Sequence, residues 1–223
     1  LGKMNHNILQ EQISAQIAEI NNRIDEQVIA ALDSAKEVLE LEALFRVPKL
    51  VAQIGYAIGT CALGKFIVAA SENGRIEGLH FGDSEDEVMA LFREQFKNNT
   101  RVKAPIDLSG LTTYLDNPLK HSQMLPHFKL GDYAVGTELQ RKVLQALRDI
   151  PAGQVLSYSE LAQKIGSPTA VRAVATACSM NNIAVLVPCH RVIQKSGAWG
   201  GYRWGMERKK LLLKKEGYGT HSS

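Results

Sequence analysis

The sequence predicts a mixed α/β protein in two parts, a β-rich N-terminal unit and a mainly helical C-terminal domain, with a helical arm in front. Three observations predict it. Short runs rich in β-branched and aromatic residues crowd the stretch from Val51 to Phe81, separated by turn residues. Apolar residues recur at steps of three and four before Pro48 and again after Gly136. Between these regions Pro105, Pro118 and Pro126, with several Asn, Asp and Gly, mark connecting chain. The expected boundaries are a helical arm at 1–47, a β-rich unit at 48–110, a linker at 111–135, a C-terminal domain at 136–217 and a tail at 218–223.

In the arm, Ile13, Ile17, Ile20, Ile24 and Val28 fall on one helical face, and Asp33-Ser34 opens a second helix carrying Ala35, Val38, Leu39 and Leu41. Such a stripe packs against the body of the protein or pairs two copies of the chain through a short seam. Leu1-Gly2-Lys3 ahead of Met4 reads as a cloning remnant. Strands are expected over Val51–Ile58, Gly64–Ala70 and Arg75–Phe81, with Glu72-Asn73-Gly74 as a hairpin turn. Ser84-Glu85-Asp86-Glu87 caps a helix bearing Val88, Leu91, Phe92 and Phe96, and a short helix is expected near Leu111–Leu115. His80, His121, His127 and Cys61 lack metal-ligand spacing and read as structural or surface residues.

After Gly136 the helices come close together. Thr137 caps one with Leu139, Val143, Leu144 and Leu147 on one side, ended by Pro151-Ala152-Gly153. Val155-Leu-Ser-Tyr158 leads into a helix over Glu160–Ile165. A break at Gly166-Ser167-Pro168 follows, and then a helix from Thr169 to about Ser179. Two short helices joined by a Gly-containing turn read as a helix-turn-helix. The second is slim, with Ala170, Ala173, Ala175 and Ala177 around one long cation, Arg172. A slim face suits the minor groove, with the arginine reaching into the base stack.

Composition narrows the function classes. No apolar run reaches the ~20 residues that span a bilayer, and the polar start shows no signal peptide. Three cysteines without a Cys-x-x-Cys pair argue for a reducing compartment such as the cytoplasm, and against a disulfide framework or thiolate zinc site. From Thr137 onward thirteen basic residues face five acidic ones, within a chain of net charge +3. That basic half suits a polyanionic partner.

The chemistry concentrates in Ile183–Ile193. Its branched aliphatics read as a buried strand that ends at Pro188-Cys189-His190-Arg191, because proline cannot donate to a ladder. A thiol beside an imidazole and a guanidinium can have a lowered pKa and act as a nucleophile; a buried cysteine can also be simply a small hydrophobe.

Val187-Pro-Cys-His-Arg-Val192, with Ser157-Tyr158 and Arg172 upstream and Gly201-Tyr202 downstream, resembles the O6-alkylguanine-DNA alkyltransferases. Gly201-Tyr-Arg-Trp-Gly205 and Ala170-Val-Arg-Ala-Val-Ala175 look most like the C-terminal domain of the bacterial adaptive-response (Ada-type) protein. The resemblance runs from about Val51 to Gly217 and implies a ribonuclease-H-like first subdomain and a winged-helix-like helix-turn-helix in the second. It also implies irreversible, single-turnover transfer of an alkyl group, mainly methyl, from O6-alkylguanine and possibly from O4-methylthymine in DNA. No cofactor or metal is expected. Residues 1–47 hold no cysteine, so the Ada-type metal domain is not expected there, and repair alone is favoured over transcriptional self-regulation.

Carried over residue by residue, the resemblance makes Cys189 the acceptor, His190 a base acting through a water, and Glu216 the carboxylate that orients it. Tyr158 would donate toward N3 and help turn the nucleotide out, and Arg172 would fill the gap in the stack. Ser157, Ala170 and Ala173 would lie against duplex DNA in the minor groove. The carbonyls of Cys189 and Val192 would accept from the exocyclic amine, amides near Tyr202 and Arg203 would face O6, and Asn181 would be the hinge. Trp204 and Ala184 would narrow the pocket in favour of methyl lesions. The expected molecule is a monomer unless the arm pairs. A non-catalytic alkyltransferase-like lesion binder, a thiol hydrolase and a transcription factor are the alternatives. The first lacks the active cysteine, and the others leave Tyr158 with Arg172, or Cys189 with His190, unexplained.

Overall fold

The structure, a computed structural model, describes residues 11–16 and 52–219. The chain divides into two units, Leu1–Leu50 and Val51–Ser223. In the first, residues 11–16 are helical with exposed side chains, Ile13 among them. The other residues of the apolar stripe, the second arm helix and residues 220–223 lie outside the described residues.

The second unit begins with a four-stranded sheet. Strands β1 (Gln53–Cys61), β2 (Gly64–Ser71) and β3 (Ile76–Gly82) form an antiparallel meander. Helix α1 (Glu85–Gln95) then crosses so that β4 (Thr100–Lys103) runs parallel to β1, giving the order β3-β2-β1-β4. Gly59 is needed opposite Phe66: a Cβ there would stand 2.5 Å from the ring, which instead lies over the glycine. The alternation of β2 sorts the two faces. Ile67 and Ala69 meet Val88, Phe92 and Phe96 of the α1 region, while Phe66 and Val68 face the main core. Ser84 caps α1 through the Glu87 amide, with acidic residues in the first turn where the helix dipole favours them.

The expected linker is built into the fold. Helix α2 (Ser109–Asp116) buries Leu111, Tyr114 and Leu115, and a 3₁₀ turn follows at Ser122–His127. The chain then runs beside β3, where Ile76 N donates to Lys129 O and Gly131 N to Ile76 O. Further along the same edge, Leu79 N donates to Asn182 O and Ala184 N to Leu79 O. An edge that would otherwise present unpaired backbone is thereby covered, and the segment leading to Cys189 is fastened to the sheet.

Helix α3 (Glu138–Leu147) starts with a capping box between Thr137 and Gln140 and buries Val143, Leu144 and Leu147. A two-residue strand β5 (Leu156–Ser157) leads into α4 (Tyr158–Lys164), capped reciprocally by Ser157 and Glu160. After the turn, α5 (Val171–Ser179) buries Val174, Ala177 and Cys178 and leaves Arg172, Ala173 and Thr176 outward. β6 (Val192–Ile193) pairs parallel with β5, and α6 (Met206–Lys215) closes the fold. One continuous core joins the sheet face, α2 and the helices after Thr137.

The expected strand over Ile183–Val187 does not form. These residues are buried, but their contact with the sheet is a single bridge, Leu79 to Ile183, and the chain then coils tightly. Leu186 N donates to Ala184 O, Val187 N to Ile183 O, and Val185 sits at φ 66°. A β-branched residue in the left-handed region is an outlier. Pro188 therefore ends no ladder. It opens a 3₁₀ turn, Cys189–Arg191.

Candidate active site

Cys189 lies at the first position of that turn, 6% exposed. The buried Asn181 holds it in place. Its Nδ2 donates to Val187 O (2.7 Å), to Ile183 O (3.3 Å) and to Cys189 Sγ (3.3 Å), while its Oδ1 accepts from Ile183 N (2.9 Å). These bonds satisfy backbone groups that a strand would have paired, which is why an apolar run can stay buried as a coil.

The thiol's acidity is opposite to the sequence expectation. Burial pushes the Cys189 pKa up, against the Asn181 hydrogen bond and the charges of Lys209 and Arg203. Arg191, the neighbour expected to lower it, turns away: Nε donates to Glu216 Oε2 (3.0 Å), Nη2 to Glu216 Oε1 (2.8 Å) and Nη1 to Ile150 O (2.7 Å). His190 Nε2 also meets Glu216 Oε1, at 2.9 Å. Facing an ionised carboxylate, Nε2 is the protonated nitrogen and Nδ1 the basic one. Glu216 is ionised because His190 and Arg191 overcome its burial and bring its pKa down to about 2. Burial in turn lowers the His190 pKa, so the imidazole rests neutral. His190 Nδ1 is buried without a protein partner among the described residues.

Above Cys189 opens a cavity of about 500 Å³, lined by Tyr158, Ala175, Cys178, Gly200, Tyr202 and Arg203 among others. The volume leaves room for a small ring system such as a single base with space to spare. Tyr158 stands at the start of α4, directly after the Ser157 cap, and its ring lies under Gly200, where a Cβ would be 3.0 Å from the hydroxyl. Burial, with Cys178 and Cys189 nearby, pushes its pKa up to about 12, so it stays a proton donor. Tyr202 forms another wall, its hydroxyl also buried without a protein partner among the described residues.

The other sequence candidates are distributed unevenly. Arg172 and Ala173 are exposed on the outer face of α5 and Ala170 caps its start, away from the cavity lining. Arg203 Nη1 donates to Asn181 O (2.8 Å) and Asn182 Oδ1 (2.6 Å), tying the cavity wall to the Asn181 segment. Cys189 O accepts from Val192 N, and Val192 O accepts from Lys209 Nζ (2.6 Å), so each carbonyl already has one partner. Trp204 is not at the rim. It is buried behind Tyr202, rings 5.3 Å apart, with Nε1 donating to His80 Nδ1 (3.3 Å). Ala184 is buried against Leu79 and does not line the cavity either.

Sequence reasoning missed Lys209. Fully buried, it donates to Val192 O and to Gly201 O (3.1 Å), and burial brings its pKa down to about 8 despite the nearby cysteines. The run Arg208-Lys209-Lys210 disguised it as surface charge. Spacing could have found it, since Lys209, Leu212, Leu213 and Glu216 share one helical face. His80, expected to be a structural or surface residue, is structural. It is buried, bonds Gln95 Oε1 at 2.6 Å and accepts from Trp204.

Residues 138–218 match the family profile described as 6-O-methylguanine DNA methyltransferase, DNA binding domain. A methylated-DNA–protein-cysteine methyltransferase from Shigella flexneri is 51% identical over 161 residues, covering 70% of this chain and 91% of that one. This chain belongs to the methylated-DNA–protein-cysteine methyltransferases. Within that methyltransferase family, similarity extends to the bifunctional transcriptional activator/DNA repair enzyme Ada of Escherichia coli, 39% identical over 163 residues and 73% of this chain. The match spans 45% of that protein, and 45% of the regulatory protein ada of Salmonella typhimurium. Among solved structures, the Mycobacterium tuberculosis OGT in complex with DNA superposes with a TM-score of 0.55 at 30% identity, covering 73% of this chain and 93% of that one.

Proposed function

We propose that this methyltransferase repairs DNA by direct reversal, moving the alkyl group, chiefly methyl, of an O6-alkylguanine to Cys189 in a single irreversible turnover. The observation that carries the reading is a buried thiol lining a cavity with room for a base, next in sequence to a neutral histidine whose Nε2 is fixed on a buried carboxylate. Cys189 loses its proton through a water to His190 Nδ1, and Glu216 stabilises the imidazolium. The thiolate attacks the alkyl carbon in line, the C–O bond breaks, and the guanine leaving group is neutralised by a proton from Tyr158. The product is a thioether, whose C–S bond thiol exchange does not cleave, so the alkyl group stays on Cys189.

Duplex DNA is the partner, met from the minor groove by the outward face of α5. Arg172 enters the stack where the nucleotide has swung out, with Ser157, Ala170 and Ala173 against the backbone. Flipping costs a few kcal/mol, less for a poorly paired damaged base, so lesion selection begins there. The sheet, three antiparallel strands with a fourth parallel to the first, is read as ribonuclease-H-like, and the α4–α5 pair with the β5–β6 ribbon as winged-helix-like. The chain acts as a monomer unless the arm pairs copies.

The test uses a duplex carrying O6-methylguanine with a labelled methyl. Stoichiometric label on the protein, absent in Cys189→Ser, is the expected result. Tight lesion binding without label would leave a binding protein instead.

A further inference from the structure

The loop from Gln194 to Gly205 forms one wall of the cavity, and little backbone structure holds it. Its internal backbone bonds are Gln194 N to Ala198 O, Gly197 N to Gln194 O and Gly205 N to Tyr202 O. Gly197, Gly200 and Gly205 take positive φ, and Gly201 adds another glycine. Ordering glycine-rich chain costs more backbone entropy than ordering any other, so side chains must keep this wall in place. From within, Lys209 holds Gly201 O and Tyr158 supports Gly200. From outside, the half-buried Trp199 meets Tyr218 edge-on, ring centroids 5.7 Å apart at 81°.

The end of α6 delivers Tyr218 to that position. Glu216 is the C-cap, Gly217 follows at φ 83°, Gly217 N donates to Lys214 O and Tyr218 N to Leu213 O. This is the left-handed helix stop in which the two residues after the cap bond back into the last turn. The stretch Glu216-Gly217-Tyr218 thus supplies the carboxylate under His190 and, two residues on, the ring against the cavity wall.

We propose that Trp199 and Tyr218 are positioning residues, whose ring contact clasps the glycine-rich wall to the end of α6 and fixes the cavity in the geometry that transfer to Cys189 requires. The proposal rests on the alkyl-transfer reading above. Neither residue lines the cavity or touches the sulfur, and each acts through the backbone next to it: Trp199 on Gly200 to Tyr202, Tyr218 on Glu216. Misplacements of about 1 Å cost reactions up to ~100-fold in rate, and a wall still held from inside moves less than that.

Single-turnover methyl transfer at saturating O6-methylguanine duplex, and the Kd for the same duplex without the lesion, test the clasp in parent, Tyr218→Ala, Tyr218→Phe and Trp199→Leu. Tyr218→Ala and Trp199→Leu should lower the saturated rate about tenfold and leave Kd unchanged. Tyr218→Phe should keep the parent rate, because the ring makes the contact. Parent-like saturated rates in both Tyr218→Ala and Trp199→Leu overturn the clasp, and so does a Tyr218→Phe variant as slow as Tyr218→Ala. Should Tyr218→Ala fail to fold, Trp199→Leu, on the loop and outside every helix, decides alone. A parent that accepts no methyl overturns the transfer reading itself, and is measured first.

Discussion

His190 and Glu216 meet at 2.9 Å with side chains 0% and 1% exposed, and Arg191 closes on the same carboxylate from the other side. Removing one partner of a buried charge set leaves the others uncompensated. Glu216→Gln keeps the shape and removes the charge that balances Arg191 and stabilises a protonated His190. It should cost roughly 3 kcal/mol of stability in urea titrations and slow methyl transfer by at least about tenfold. A parent-like rate would show that the carboxylate serves the fold alone.

His80 sets an acid limit. Burial brings its pKa from 6.5 down to about 4. The folded pKa is the lower one, so the unfolded chain binds more protons between those values. Stability is therefore full above about pH 6.5 and lost as pH falls toward 4, by up to roughly 3 kcal/mol. Protonation also removes the Nδ1 acceptor from Trp204. Denaturant midpoints at pH 7 and 4.5 should differ less in His80→Phe than in the parent.

Asn181 bonds several buried groups at once, so Asn181→Ala strands Ile183 N and takes from the carbonyls of Ile183 and Val187 one of their two partners, leaving them Val187 N and Cys189 N. At ~1–3 kcal/mol for the one group left unpaired and about 1 kcal/mol for each hydrogen bond lost at a carbonyl that keeps its other partner, a loss of at least about 2 kcal/mol is expected. Chemical denaturation measures it. A smaller loss would mean that the turn before Cys189 holds without its side-chain anchor.

Val185 offers a matched comparison with Val187, since both are buried and only Val185 has positive φ. Glycine relieves left-handed strain of about 1–2 kcal/mol at the first position and relieves none at the second. Val185→Gly should accordingly destabilise less than Val187→Gly by that margin. Equal losses in thermal and urea unfolding would show that the φ of Val185 carries no strain.

Gly200 combines φ 71° with a Tyr158 hydroxyl 3.0 Å from the position of a Cβ. Gly200→Ala pushes the tyrosine away from the base and should slow transfer ~10–100-fold, with duplex binding little changed. Stopped-flow transfer assays separate the two effects.

Features governed by near neighbours were legible in the sequence. Ser84 and Thr137 cap the helices their spacing marked, and the hairpin at Glu72-Asn73-Gly74 joins β2 to β3. What sequence hid depends on distant partners. An apolar run such as Ile183–Val187 looks the same whether a sheet or a side chain pairs its backbone, and here much of that pairing comes from Asn181. Arg191 stands two residues from Cys189 in sequence, yet its guanidinium is bound by Glu216, 25 residues on. Lys209 hides among cations, and the rim position expected for Trp204 is held by Tyr202, which stands in front of it.

The high pKa of Cys189 has a consequence for shelf life. A protein that can give its sulfur once is lost to any stray electrophile that reaches a thiolate first. Burial that keeps the sulfur protonated slows its reaction with small electrophiles that enter the cavity, because the thiolate is the nucleophile. On the proposed reading, reaction then waits for a base seated in the cavity, so the stock of unspent molecules falls with lesions met more than with time elapsed.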